Sequence, residues 1–143
     1  MLLLVVLATV NSACSHQRVT VQTLYSSSNC AMNEATLKSI DTVEELERLR
    51  VLLKNRFSDA QPLSQVIDLS EQTLILYALG QKSSGGFSIN LTSSEALIKG
   101  GTLYLPLQID TPTAERFNTL GMVSPCQVYA IPKTSFDKIV LGS

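Results

Sequence analysis

The sequence predicts an α+β domain: mainly antiparallel β-sheet, or a small sandwich, with one main helix over 42–56 in its N-terminal half. Three observations carry this. Leu74, Ile75, Leu76, Tyr77, Ala78 and Leu79 form the longest apolar run beyond the N-terminal segment, as in a strand covered on both faces. Period-two alternation marks further strands at 18–25, 87–91 and 102–109. One stretch, starting at Val43, repeats its apolar residues at helical spacing. The order is strand, helix, then several strands without a helix between them, which favours antiparallel pairing over a parallel α/β sheet.

A chain of 143 residues is one domain by size and long enough to bury a core. Its 11 basic and 12 acidic side chains are nearly balanced and neither sign is clustered, so the basic stripe expected of a nucleic-acid partner is missing. One His and no Cys-x-x-Cys pair offer no metal-binding cluster, and no cofactor is expected.

The apolar run Leu2 to Val10, followed by Asn11, Ser12 and Ala13, has the proportions of a signal peptide over 1–13 and is too short to span a membrane. The Ser12-Ala13-Cys14 junction resembles a bacterial lipobox, in which Cys14 is acylated and becomes the first mature residue. The position three before Cys14, usually Leu, is Asn11, and the alternative is a plain secretory signal followed by an ordinary Cys. On this reading 14–17 tether the domain, 18–143, to a membrane through the lipid anchor. Ser15 in place of Asp points to the outer membrane, on its periplasmic side. Cys30 and Cys126 remain; in an oxidising compartment the pair is expected to form a disulfide, the alternative being two separate thiols.

In 18–25, Val19, Val21 and Thr23 share one face of the expected first strand, and Ser26 to Asn29 breaks the pattern. Thr42 and Glu45 form a capping box that opens the helix. Val43, Leu46, Leu49, Leu52, Leu53 and Phe57 form its apolar face. Glu44, Glu45 and Glu47 lie early and Arg48, Arg50, Lys54 and Arg56 late, the order the helix dipole favours, on what reads as a solvated outer face. Ser58 to Pro62 ends the helix, and Val66, Ile67, Asp68 and Leu69 lead into the central strand over 73–80. In 102–109, Leu103, Leu105, Leu107 and Ile109 face one way, and Pro106 suggests an edge strand or a bulge. A crossing loop with a short helical turn is expected over 111–123, then short strands at 128–131 and 138–141.

The stretch Gly80 to Leu91 separates the buried run from the alternating Phe87, Ile89 and Leu91, and reads as a β-hairpin turning at Gly85 and Gly86. Its tip residues Lys82, Ser83, Ser84, Gly85, Gly86 and Phe87 are the candidate binding residues, because a short loop on a rigid hairpin is a common place for contacts.

Val66-Ile67-Asp68-Leu69, the run from Leu79 through Gly85-Gly86-Phe87-Ser88-Ile89, and Ser124-Pro125-Cys126-Gln127-Val128-Tyr129-Ala130-Ile131-Pro132-Lys133 together resemble the PrcB C-terminal domain family, over about 43–141. Ser84 stands where that family commonly has Thr, and Phe87 where it often has Tyr. The namesake is a lipoprotein subunit that stabilises a subtilisin-like surface protease complex. The resemblance therefore implies an exported interaction domain, with a protein partner such as an exported protease complex.

No catalytic constellation emerges from the sequence. His16 lies in the tether. Lys82 beside Ser83 and Ser84 is a poor geometry for a Ser-Lys dyad, since nucleophile and base must reach each other. Asp68 and Asp110 read as a turn cap and a strand end rather than paired acid and base. The expectation is a non-catalytic accessory or stabilising subunit. A loop-type inhibitor of an exported protease is the alternative, and a small periplasmic hydrolase a more remote one.

Overall fold

The computed structural model describes residues 16–54, 60–113 and 120–142, which build two larger β-sheets and one helix in three layers, with a separate two-stranded ribbon. The expected fold class holds: the sheets are antiparallel apart from one parallel pair, and α1 (Val43–Leu53) is the helix.

The inner sheet is ordered β2 (Gln22–Ser27), β10 (Cys126–Pro132), β4 (Gln72–Leu79), β3 (Ala35–Ile40). Its two middle strands are apolar on both faces because both are covered. Leu74, Leu76, Ala78, Cys126, Val128 and Ala130 pack toward Leu46, Leu49 and Leu53 of α1, in one core. Ile75, Leu79, Tyr129 and Ile131 pack toward the outer sheet, in a second core. The burial of the 74–79 run on two sides follows from this sandwiched position.

The outer sheet runs β1 (Gln17–Thr20), β7 (Glu95–Lys99), β8 (Thr102–Asp110), β11 (Lys138–Gly142), with β11 parallel to β8. β6 (Ser88–Leu91) also pairs with β8, beyond the end of β7. Leu103, Leu105 and Leu107 point into the core as their alternation requires. Pro106 sits inside this sheet rather than at an edge. Its register position falls between the residues that β7 pairs (102–104) and those that β6 pairs (107–110), so no ladder donor is required of it there. Its carbonyl takes the Thr92 N–H at 2.9 Å and the Thr92 hydroxyl at 3.1 Å.

The single first strand expected over 18–25 is two strands in different sheets. The chain steps from the outer to the inner sheet at Val21, which is buried and whose N–H donates to the Ser94 carbonyl at 2.8 Å. Alternation continues through such a corner, so the pattern cannot register it. β3, β7 and β9 (Leu120–Val123) are strands that the sequence pattern did not mark.

The helix starts as predicted. The Thr42 hydroxyl accepts the Glu45 N–H at 3.2 Å, and the Glu45 carboxylate accepts the Asp41 N–H at 3.2 Å. It ends at Leu53, earlier than 56, with Lys54 as C-cap; Asn55, Arg56 and Phe57 lie outside the described residues, as do 114–119 of the crossing loop expected over 111–123, whose last four residues are the strand β9. Arg50 is not simply part of a solvated face: Nε and Nη2 donate to the Leu63 and Gln65 carbonyls at 3.2 and 2.8 Å, tying the next segment to the helix.

Candidate functional site

Leu79 ends a strand and Gly80 turns the chain at φ +74°, against the backbone of Glu34 and Ala35, where an added Cβ would lie 2.7 Å from the Ala35 nitrogen. No hairpin follows. β4 pairs with β10 and β3, while β6 pairs with β8 in the other sheet, so Gly80 to Leu91 is a crossing between the two layers. Between them, β5 (Lys82–Ser84) pairs antiparallel with β9 across an irregular register. The expected hairpin tip is therefore half of a short two-stranded ribbon. A glycine pair between two apolar strands fits a tight turn and a crossover equally well, and only long-range pairing with 120–123 distinguishes them.

Within the crossing, Gly86 takes φ +92°, a left-handed value that suits glycine, whereas Gly85 is buried. Phe87 is half-buried against the inter-sheet core, and the Lys82 ammonium lies 5.5 Å from the centre of its ring. That contact turns the Lys82 amine toward the ring. Ser83 is exposed and Ser84 half-buried. Across the ribbon Met122 is 68% exposed and accepts a hydrogen bond from the Gln81 amide on its sulfur at 2.7 Å. A hollow of about 380 Å³ beside it is lined by Asn29, Ala31, Asn33, Gln81, Met122 and Ser124 among others.

The ribbon stands on a rigid base. Cys30 and Cys126 form the expected disulfide, both fully buried. Next to it the Ser124 hydroxyl donates to the Met32 carbonyl at 2.6 Å and accepts the Met32 N–H at 2.9 Å, while the Ser124 carbonyl accepts the Cys30 N–H at 2.7 Å. Sequence reasoning passed over Ser124, since nothing local separates a clasping serine from a loop serine. On the opposite side, the Gln127 amide donates to the Ile89 carbonyl at 2.8 Å and its oxygen accepts the Tyr129 hydroxyl, joining the two sheets through side chains. Burial, with Tyr77 nearby, pushes the Tyr129 phenol far above the ordinary tyrosine range.

The two aspartates stand apart in role. Asp68 caps a turn, its carboxylate accepting the Ser70 N–H at 2.8 Å and the Ser70 hydroxyl at 2.6 Å; these bonds hold its carboxyl below the usual carboxylate value. Asp110 ends β8 and accepts from Asn90 at 2.8 Å, Gln108 at 3.2 Å and Ser88 at 3.3 Å. His16 is the first described residue, ahead of β1, and Cys14 lies outside the described residues. Among the described residues no group of three or more His, Cys, Asp or Glu is placed to hold a metal, and no helix is long and apolar enough to cross a membrane. Comparison of the chain with protein-family models, curated proteins and solved structures finds no match.

Proposed function

We propose that this protein is a non-catalytic binding subunit of the bacterial cell envelope, exported, anchored through Cys14, and similar in role to the PrcB-like accessory subunits it resembles. The observation that carries the reading is the β5–β9 ribbon, an exposed element with Met122, Ser83 and the Lys82–Phe87 pair, set on a base fixed by the Cys30–Cys126 disulfide and the Ser124 clasp. Contact residues on a short, well-supported element lose little conformational freedom on binding. The buried disulfide supports an oxidising compartment, hence export. The partner is a protein, such as an exported protease complex, and the ribbon with Lys82, Ser83, Ser84, Gly85, Gly86 and Phe87 is the contact.

Crosslinking in the native envelope, followed by identification of the captured protein, tests this. Alanine at Lys82, Ser83 and Ser84 is expected to reduce capture with the fold intact; unchanged capture excludes the ribbon as the contact. Mass spectrometry of the mature N-terminus tests the anchor, and an unacylated Cys14 removes it.

A further inference from the structure

β3 is the outermost strand of the inner sheet, and its free side is regular. Six consecutive residues pair with β4 without a register shift, whereas β2, at the opposite edge, carries one against β10. Which backbone groups face outward follows from the pairing. The Leu79 N–H donates to Pro125 at 2.9 Å and the Lys133 N–H to Glu71 at 2.8 Å, so the odd-numbered residues of β4 bond toward β10. The even-numbered ones, Leu74, Leu76 and Ala78, therefore bond toward β3 through their partners Ile40, Lys38 and Thr36. Ala35, Leu37 and Ser39 are left with N–H and C=O groups directed away from the sheet. Among the described residues no backbone hydrogen bond reaches them from that side. An open ladder of this kind is a template for another strand.

The side chains on this edge indicate which strand. Glu34, Thr36, Lys38 and Ile40 line one side of a groove of about 500 Å³, with Glu45, Arg48, Leu49 and Leu52 of α1 opposite. Glu34 and Lys38 are both exposed, and neither has an ion-pair partner among the described residues. We propose that β3 pairs with β3 of a second copy of this chain, antiparallel about a two-fold axis at Thr36. In that register Thr36 faces its own counterpart, Ala35 exchanges backbone hydrogen bonds with Leu37 of the other copy, and Glu34 faces Lys38 twice. The outward-facing set of odd residues permits this alignment. Shifting the partner strand by two residues one way sets Thr36 against Lys38 and leaves the charges unmatched; two further residues set Lys38 against Lys38. Charge complementarity therefore selects a single self-pairing. The result is an eight-stranded sheet running through both copies, the two helices on the same side and their grooves facing each other.

Sedimentation equilibrium of the purified full chain measures the association. A concentration-dependent dimer is expected, weakened about tenfold or more by Lys38→Glu, because both opposite-charge pairs become like-charge pairs. Combining Lys38→Glu with Glu34→Lys restores it. Thr36→Cys is expected to form an intermolecular disulfide, since residues facing each other at a non-hydrogen-bonded position are within bridging distance; the parent chain is the control. Circular dichroism of each variant separates lost association from lost folding. A chain that stays monomeric overturns the proposal, as does a dimer indifferent to Lys38→Glu or one crosslinked through Lys38→Cys instead of Thr36→Cys. Thr36→Cys trapping a different polypeptide in the envelope, with the chain itself monomeric, assigns this edge to another partner and also overturns it.

Discussion

Ser124 shows how one small side chain holds a loop. Its hydroxyl is both donor to and acceptor from Met32, and both groups it satisfies are backbone atoms in a buried setting. Ser124→Ala leaves them unpaired, and is expected to lower unfolding stability by about 1–3 kcal/mol in denaturant titration, with little change in overall fold. Asp68 acts differently, because its partners favour the charged form. With its folded carboxyl held below the ordinary aspartate range by the Ser70 hydrogen bonds, it contributes stability above the unfolded pKa, and that contribution is lost as pH falls through the folded pKa. Asp68→Asn should therefore lower stability slightly at neutral pH and flatten the acid limb of a stability-versus-pH curve, with the low-pH values nearly unchanged; an unaltered acid limb would show that the Ser70 bonds are not maintained in solution. The Tyr129 phenol has the opposite sense. Its raised folded pKa means its contribution is present below the unfolded tyrosine value and declines as pH rises toward the folded one.

At the scale of elements, the best-determined boundary is the start of α1. Thr42 satisfies one open amide of the first turn, and Thr42→Ala is expected to cost about 1 kcal/mol, measured as a lower denaturation midpoint with unchanged slope. That cap was legible because its chemistry is local: a Thr and a Glu three apart ahead of an apolar repeat. The 74–79 strand was legible for a similar reason, its burial on both faces being written into six consecutive residues. What could not be read was partnership. The split of 18–25 between two sheets, the crossing at 80–91 and the ribbon all depend on which distant strand lies alongside, and alternation is the same in every case. β7 escaped notice because Glu95, Ala96, Leu97, Ile98 and Lys99 also suit a helix, and β9 because its four residues carry little pattern. Arg50 looked solvated from its place in a charge run; its carbonyl partners Leu63 and Gln65 lie across a loop. Lys82 to Phe87 could be read as one contiguous candidate stretch, but the strand that lies beside it, with Met122, could not.

For the molecule as a whole, the stability of three layers depends on how firmly its first and last thirds are joined. The inner sheet draws on the whole chain: β2 and β3 come from its beginning, β4 from its middle and β10 from near its end. Every neighbour pair in that sheet is therefore a long-range contact, and closing such contacts is entropically costly. The Cys30–Cys126 bridge spans 96 positions and ties the end of the β2 segment to the start of β10, so it restricts the unfolded chain across most of the domain. For a loop of that length the chain-entropy model gives about 4.7 kcal/mol, close to the whole stability of a marginal domain. Replacing both cysteines with alanine should therefore lower the denaturation midpoint strongly. It should also raise the denaturant slope, since an uncrosslinked unfolded chain exposes more surface. The two effects together distinguish a bridge acting through the unfolded state from one that only fills the core between β10 and α1. In the second case the midpoint falls and the slope stays the same, because the loss is then confined to packing around two buried side chains.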